Sequence, residues 1–425
     1  MTERYDVGIL GWWYGKNYGS ILTYYGLNKA ITKLGYDVLM VHEGLGYNGW
    51  RVNWPDDIFS MEFARRVGYE YTEQVHYTQL SELNEVVDTF LVGSDQLWNP
   101  NIGRVNDDLF LDFVNDEKRR VAYSTSFGNK GARKFSSYFI AKHTKNLKKF
   151  NSISVREAYA VETAKEIFDV EATQAVDPVF LLQTQEYEAL AEKATVKAKG
   201  DYLSVFFLDL TSDKMHVAEN IADKLGLKKI VVIPNPDNGR KLAEEIFEGE
   251  RFEILSEDSP ENFIYTYKNA KYAITDSFHG SAFAAIFKIP FSSIYNTKRG
   301  ADRFTNLLHS LGFNDERRVY ESDDVTQLNE NQNISLNVDF SAAEKYISSE
   351  RKKSLRWLAD AMSSKLKQSN WPNFPGKPDE ELHKHRIRID KPDFCSNNEA
   401  WRIDAHDEAS RLSVVGVNAA KSGNH

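Results

Sequence analysis

Cysteine is almost absent: Cys395 stands alone among 425 residues. One thiol cannot build an internal disulfide framework or a thiolate zinc cluster, and its scarcity fits a reducing compartment. No run of about 18 apolar residues occurs, so a membrane-spanning helix is not expected. The start, Met1-Thr2-Glu3-Arg4-Tyr5-Asp6, leads straight into a strand-like run without the apolar stretch of a secretory signal. The expected location is therefore the cytoplasm. A surplus of cations is missing too. Lys plus Arg is 53 against 62 Asp plus Glu, a net charge of −9. A general nucleic-acid binder needs cations to neutralise phosphates, so no nucleic-acid partner is expected. No repeat of 20–50 residues is visible, and no metal-ligand cluster.

What is present is an ordinary soluble composition, 41% hydrophobic and 27% charged. At roughly 150 residues per domain, the length suggests two or three domains. Val7-Gly8-Ile9-Leu10 reads as a buried strand and Gly11 to Gly19 as a glycine-spaced loop. A helix capped by Ser20 and stopped by Gly35 follows, then a strand at residues 37–41. The pattern repeats with strands at 89–92, 120–123 and 152–155, a helix over about 131–150, and another from Arg156 onward. Asp177-Pro178 interrupts it. A second block has strands at 203–208, 230–233, 272–275 and 291–294, with helices at 213–225, 260–269 and 281–287. This alternation implies two doubly wound parallel α/β domains, with ligands beyond the carboxyl ends of the strands. The expected boundaries are residues 1–180 and 200–335, an amphipathic helix over 341–366, and an irregular polar tail over 370–425.

Four strand-following loops carry the candidate chemistry. In Gly15-Lys16-Asn17-Tyr18-Gly19-Ser20, glycines at a helix N-terminus suit an anion or sugar hydroxyls; a plain tight turn is the alternative. Gly93-Ser94-Asp95-Gln96-Leu97-Trp98 offers hydrogen-bonding side chains and an aromatic face for a pyranose ring; a capping Asp with a core Trp is the alternative. In Thr275-Asp276-Ser277-Phe278-His279-Gly280-Ser281, an imidazole near a helix start can donate or accept a proton near neutral pH. In Lys298-Arg299-Gly300-Ala301-Asp302-Arg303, the cations could grip a phosphate and a carboxylate together, or Asp302 could simply pair with Arg303.

The ordered set GKNYGS, FLVGSDQLWNP, SVRE, DPVFLL, TDSFHGSAFAAIFKIPF and KRGADRF resembles the polysaccharide pyruvyl transferase family, from about Asp6 to Phe313. The resemblance implies two Rossmann-like domains facing a cleft, a GT-B-like arrangement, with a C-terminal helix packing back on the first domain. It also implies transfer of the enolpyruvyl unit of phosphoenolpyruvate to a sugar of a cell-surface glycan or its lipid-linked precursor, forming a pyruvate ketal. Phosphoenolpyruvate would be a co-substrate, with no further cofactor. His279 matches the family's His-Gly motif and is the acid/base candidate, and Asp95 is the second catalytic candidate, on the acceptor side with Gln96 and Asn17. Many members carry Arg-Leu-His-Gly there, and this chain has Ser277-Phe278-His279-Gly280. The anion contact would then fall to Arg156, Arg299 or Arg303. Asn17, Gly19, Ser20, Ser94, Gln96, Trp98, Ser277 and Gly280 complete the expected substrate contacts. A nucleotide-sugar glycosyltransferase and a non-catalytic glycan-binding subunit remain as alternatives.

One further absence is local. From Lys118 to Arg156 there is no Asp or Glu, but eleven cations. Lys142, Lys145 and Lys149 share helical spacing. The stretch reads as a solvated helix face or as a basic surface for an anionic membrane or donor.

Overall fold

In the computed structural model, every strand pair is parallel, as a chain of strand–helix units requires. The structure describes residues 4–42, 58–74, 76–102, 107–128, 135–236, 239–295, 301–313, 317–320 and 334–364. The described residues fall in one compact unit, Met1–Ser369. The expected tail over 370–425 lies outside the described residues.

The first sheet holds β1 (Tyr5–Leu10), β2 (Val38–Val41), β3 (Glu70–Tyr71), β4 (Val87–Val92), β5 (Arg119–Thr125), β6 (Ser152–Val155) and β7 (Thr173–Gln174), in the order β3-β2-β1-β4-β5-β6-β7. The second holds β8 (Tyr202–Phe206), β9 (Lys229–Ile233), β10 (Phe252–Ile254), β11 (Tyr272–Thr275), β12 (Phe291–Tyr295) and β13 (Arg318–Tyr320), in the order β10-β9-β8-β11-β12-β13. Both orders reverse beside the first strand of the sheet, between β1 and β4 and between β8 and β11. Crevices for ligands open at such reversals. The central strands are apolar runs buried on both faces.

In chain order the helices are α1 (Tyr18–Lys33), α2 (Phe59–Val67), α3 (Ser137–Leu147), α4 (Ala158–Phe168), α5 (Thr184–Ala191), α6 (Ser212–Lys224), α7 (Gly239–Ile246), α8 (Pro260–Lys268), α9 (Phe278–Phe287), α10 (Ala301–Ser310) and α11 (Ser341–Ser363). None of them is long and apolar enough to cross a membrane. Helix α11 returns to the first sheet. Its Trp357 ring lies 6.0 Å from that of Tyr123 on β5, its Ser354 hydroxyl accepts from Val176 N at 3.2 Å, and Arg351 Nε donates to Phe180 O at 2.8 Å.

Several sequence expectations shift. Asn17, not Ser20, caps α1: its backbone is extended (φ −101°, ψ 112°) and its side chain accepts from Ser20 N at 3.1 Å. Helix α3 is shorter than 131–150. Helix α9 begins at Phe278 rather than Ser281, which puts His279 in its first turn. Four lysines of the basic stretch have acidic partners. Lys118 pairs with Asp88, Lys142 with Asp107, Lys148 with Asp169 and Lys149 with Asp116. The acids that the stretch lacks are supplied by other segments. Lys130, Arg133 and Lys134 lie outside the described residues.

Candidate active site

The two reversal points meet through the first turns of α1 and α9. A Cβ built on Gly19 would stand 2.2 Å from His279 Nδ1 and 2.6 Å from its Cγ. The imidazole therefore occupies the volume that any other residue at 19 would fill. Gly280 is confined in the same way: a Cβ there would meet Thr275 Oγ1 at 2.4 Å and Tyr267 OH at 2.6 Å. Ser277 is the N-cap of α9, and its hydroxyl accepts from Gly280 N at 3.4 Å. The N-terminal first turns of two helices, with their positive dipole ends, thus flank one imidazole.

One helical turn beyond Gly19, on the same face of α1, lies Thr23. Its hydroxyl is 3.2 Å from Asp177 Oδ1 and 3.0 Å from His279 Nε2. Asp177 Oδ2 is 3.4 Å from the same nitrogen. Asp177 follows β7 and caps the short 3-10 turn Pro178–Phe180, accepting from Val179 N at 3.1 Å.

Arg156, at the end of β6, donates from Nη1 to Asp177 Oδ2 at 2.9 Å and from Nε to Glu157 Oε1 at 3.0 Å. Its Nη2 lies 3.7 Å from Asp95 Oδ1, and the Phe278 ring stacks 4.6 Å from the guanidinium carbon. Arg156 Nη2 and Glu157 Oε2 are buried without a hydrogen-bond partner, one donor and one acceptor left for a ligand or water. Asp95 sits in the left-handed region at φ 79°. A non-glycine residue there costs energy and is held by its surroundings. Its Oδ2 accepts from the Ser20 hydroxyl at 2.9 Å and its Oδ1 from Gln96 N at 2.9 Å.

The charges in this cluster decide its protonation. Burial works to raise the Asp177 carboxyl, but His279 and Arg156 outweigh it and hold the group well below the usual carboxylate range. For Asp95, burial is likewise overcome, by Arg156, His279 and Arg303. The Arg156 guanidinium is pushed up despite burial, by Glu157, Asp177 and Asp95. That of Arg303, on α10, is lowered by burial and by the charge of Arg156, with Asp95 and Glu157 partly offsetting. Arg303 therefore belongs to the same charge cluster.

The structure thus brings together Gly19, Ser20, Asp95, Arg156, Ser277, His279, Gly280 and Arg303 from the sequence-derived set. Asn17 is exposed at the rim, and Gln96 is half-buried with its Oε1 accepting from Asn99 Nδ2 at 2.8 Å. Two expectations fail. Trp98 is fully buried, donating to Leu109 O at 2.9 Å and stacked on Phe110, so it has no face for a sugar. Ser94 is also fully buried, its hydroxyl donating to Ser124 O at 2.7 Å. Arg156 is bonded to Glu157 and Asp177 through Nε and Nη1, and its Nη2 is the donor it keeps for an anion. Arg299 lies outside the described residues. Asp177, Glu157 and Thr23 were missed. Asp177's one local mark in the sequence was the Asp-Pro step, which did not point to His279.

Comparison with known proteins adds the following. The family model described as polysaccharide pyruvyl transferase matches residues 17–298. No curated protein gives a significant match. Among solved structures, a glycosyltransferase from Rickettsia africae aligns with TM-score 0.46 at 10% identity, over 92% of this chain and 100% of its own. The UDP-GlcNAc 2-epimerase of Methanocaldococcus jannaschii aligns with TM-score 0.47 at 13% identity, over 90% and 98%. The wall teichoic acid polymerase TagF aligns with TM-score 0.46 at 10% identity, over 84% and 87%. The matched span runs from the cap of α1 through β7 and α9, the segments that supply nearly every group around His279, and the chain belongs to the polysaccharide pyruvyl transferase family.

Proposed function

We propose that this chain transfers the enolpyruvyl unit of phosphoenolpyruvate to two hydroxyls of a sugar in a surface glycan or its lipid-linked precursor, closing a pyruvate ketal. The observation that carries this reading is His279, an imidazole wedged between two helix N-termini and backed by Asp177 and Arg156.

The chemistry balances against these groups. A proton is added to the methylene carbon of the donor, and the neighbouring carbon becomes an oxocarbenium centre. A sugar hydroxyl attacks that carbon and gives up its proton. The carbon–oxygen bond to phosphate then breaks, and a second hydroxyl closes the ketal, its proton leaving with phosphate. His279 delivers the first proton and recovers one from the attacking hydroxyl. Asp95, ionised and bonded to Ser20, accepts from the acceptor hydroxyls. Arg303 and the two helix N-termini face the donor's phosphate and carboxylate.

A donor screen tests this. Purified protein is offered phosphoenolpyruvate or nucleotide sugars on a glycan panel, with products read by mass spectrometry. Acceptor-dependent phosphate release from phosphoenolpyruvate is expected. Turnover of a nucleotide sugar with phosphoenolpyruvate inert would overturn the proposal, as would glycan binding without product from either donor.

A further inference from the structure

The two nitrogens of His279 are not equivalent. We propose that Asp177 and Thr23 are positioning residues that fix the proton on Nε2, so that Nδ1, the nitrogen against Gly19, is the one that exchanges protons with substrate. The inference rests on His279 being the proton carrier of the proposed transfer.

Asp177 is ionised, its oxygens already accepting from Val179 N and Arg156 Nη1, so it has no proton to donate. Thr23 Oγ1, 3.2 Å from Asp177 Oδ1, must therefore be the donor of that bond. Its single proton is then committed. Towards His279 Nε2, 3.0 Å away, the Thr23 oxygen can only accept. Nε2 thus carries a hydrogen in both charge states of the ring, and Asp177 Oδ2 at 3.4 Å reinforces it. The lone pair of the neutral ring is left on Nδ1, which lies beside the first turn of α1 where the chain has no side chain. Arg156, tied to Asp177, keeps that carboxylate ionised and turned towards the ring.

The test is nitrogen NMR on the full chain carrying labelled histidine, resolving the neutral tautomer of His279. The hydrogen is expected on Nε2 in the unmodified protein, a readout that needs no donor and no turnover. A neutral ring with its hydrogen on Nδ1 would overturn the inference, whatever the donor screen returns. Thr23→Val and Asp177→Asn are expected to mix the tautomers, with kcat lowered by about 10²-fold for Asp177→Asn and KM little changed. Thr23→Ser, which keeps the hydroxyl, is expected to retain the original tautomer and rate. Unchanged tautomer and rate in Thr23→Val would also overturn the assignment.

Discussion

Gly19 is where shape and chemistry coincide. An added methyl would sit 2.2 Å from His279 Nδ1, far inside van der Waals contact. Gly19→Ala is therefore expected to cost at least about 10²-fold in turnover, because the imidazole must leave its place. Circular dichroism should still show a folded protein, since Ala suits a helix better than Gly. Normal turnover in that variant would show that the ring is not the proton carrier. His279→Ala should lose about 10²- to 10⁴-fold with its melting curve little altered, a pair of measurements that separates chemistry from folding. Gly19, Asp95 and His279 were legible because each lies in a short motif after a strand. Asp177 and Thr23 were not, because their meeting with His279 spans 102 and 256 residues. Trp98 misled for a different reason. An aromatic after a buried strand looks the same in sequence whether it faces a ligand or, as here, Phe110 and Phe127.

Two elements carry predictions of their own. Helix α9 owes its start to Ser277, so Ser277→Ala should lower stability by about 1 kcal/mol in urea unfolding and release the first turn that aims His279. Helix α3 holds His143, buried against Phe110 at 3.7 Å and Phe139 at 4.2 Å. Burial, helped by Lys142 and opposed by Asp107, pushes its imidazole down to about 4. The unfolded chain takes up that proton near pH 6.5 and the folded chain resists it. Stability is therefore expected to fall by up to about 3 kcal/mol as pH drops from about 6.5 to 4. His143→Phe should flatten that part of a urea midpoint-against-pH curve, and an unchanged slope would refute the assignment. At this scale the sequence was informative about the central strands and less so about boundaries. Periodicity marks where a helix runs, whereas the cap marks where it starts. Asn17 and Ser20 are both competent caps, so backbone geometry decided between them.

Across the whole molecule, two observations bear on how the parts cooperate. Helix α11 lies on the first sheet, and its Ser354 accepts from Val176 N, the residue beside Asp177. Removing the chain from Phe340 onward should uncover Ile347, Leu358 and Met362 contacts in the core and loosen the Asp177 segment. Aggregation or loss of a cooperative melt is expected, and a truncated chain that melts like the full one would show α11 to be dispensable. The alternation of strands and helices made both sheets readable in outline. The charge pattern was readable only in part, because Asp88, Asp107, Asp116 and Asp169 pair with four lysines of the basic stretch from outside it. A local tally of charge omits partners that only folding supplies.

The imidazole belongs to the second sheet, whereas Gly19, Thr23, Asp95 and Asp177 belong to the first. The site is therefore an interlock. With His279 as the proton carrier of the proposed transfer, neither half alone is expected to turn over phosphoenolpyruvate, and activity should reappear only when both fragments reassociate.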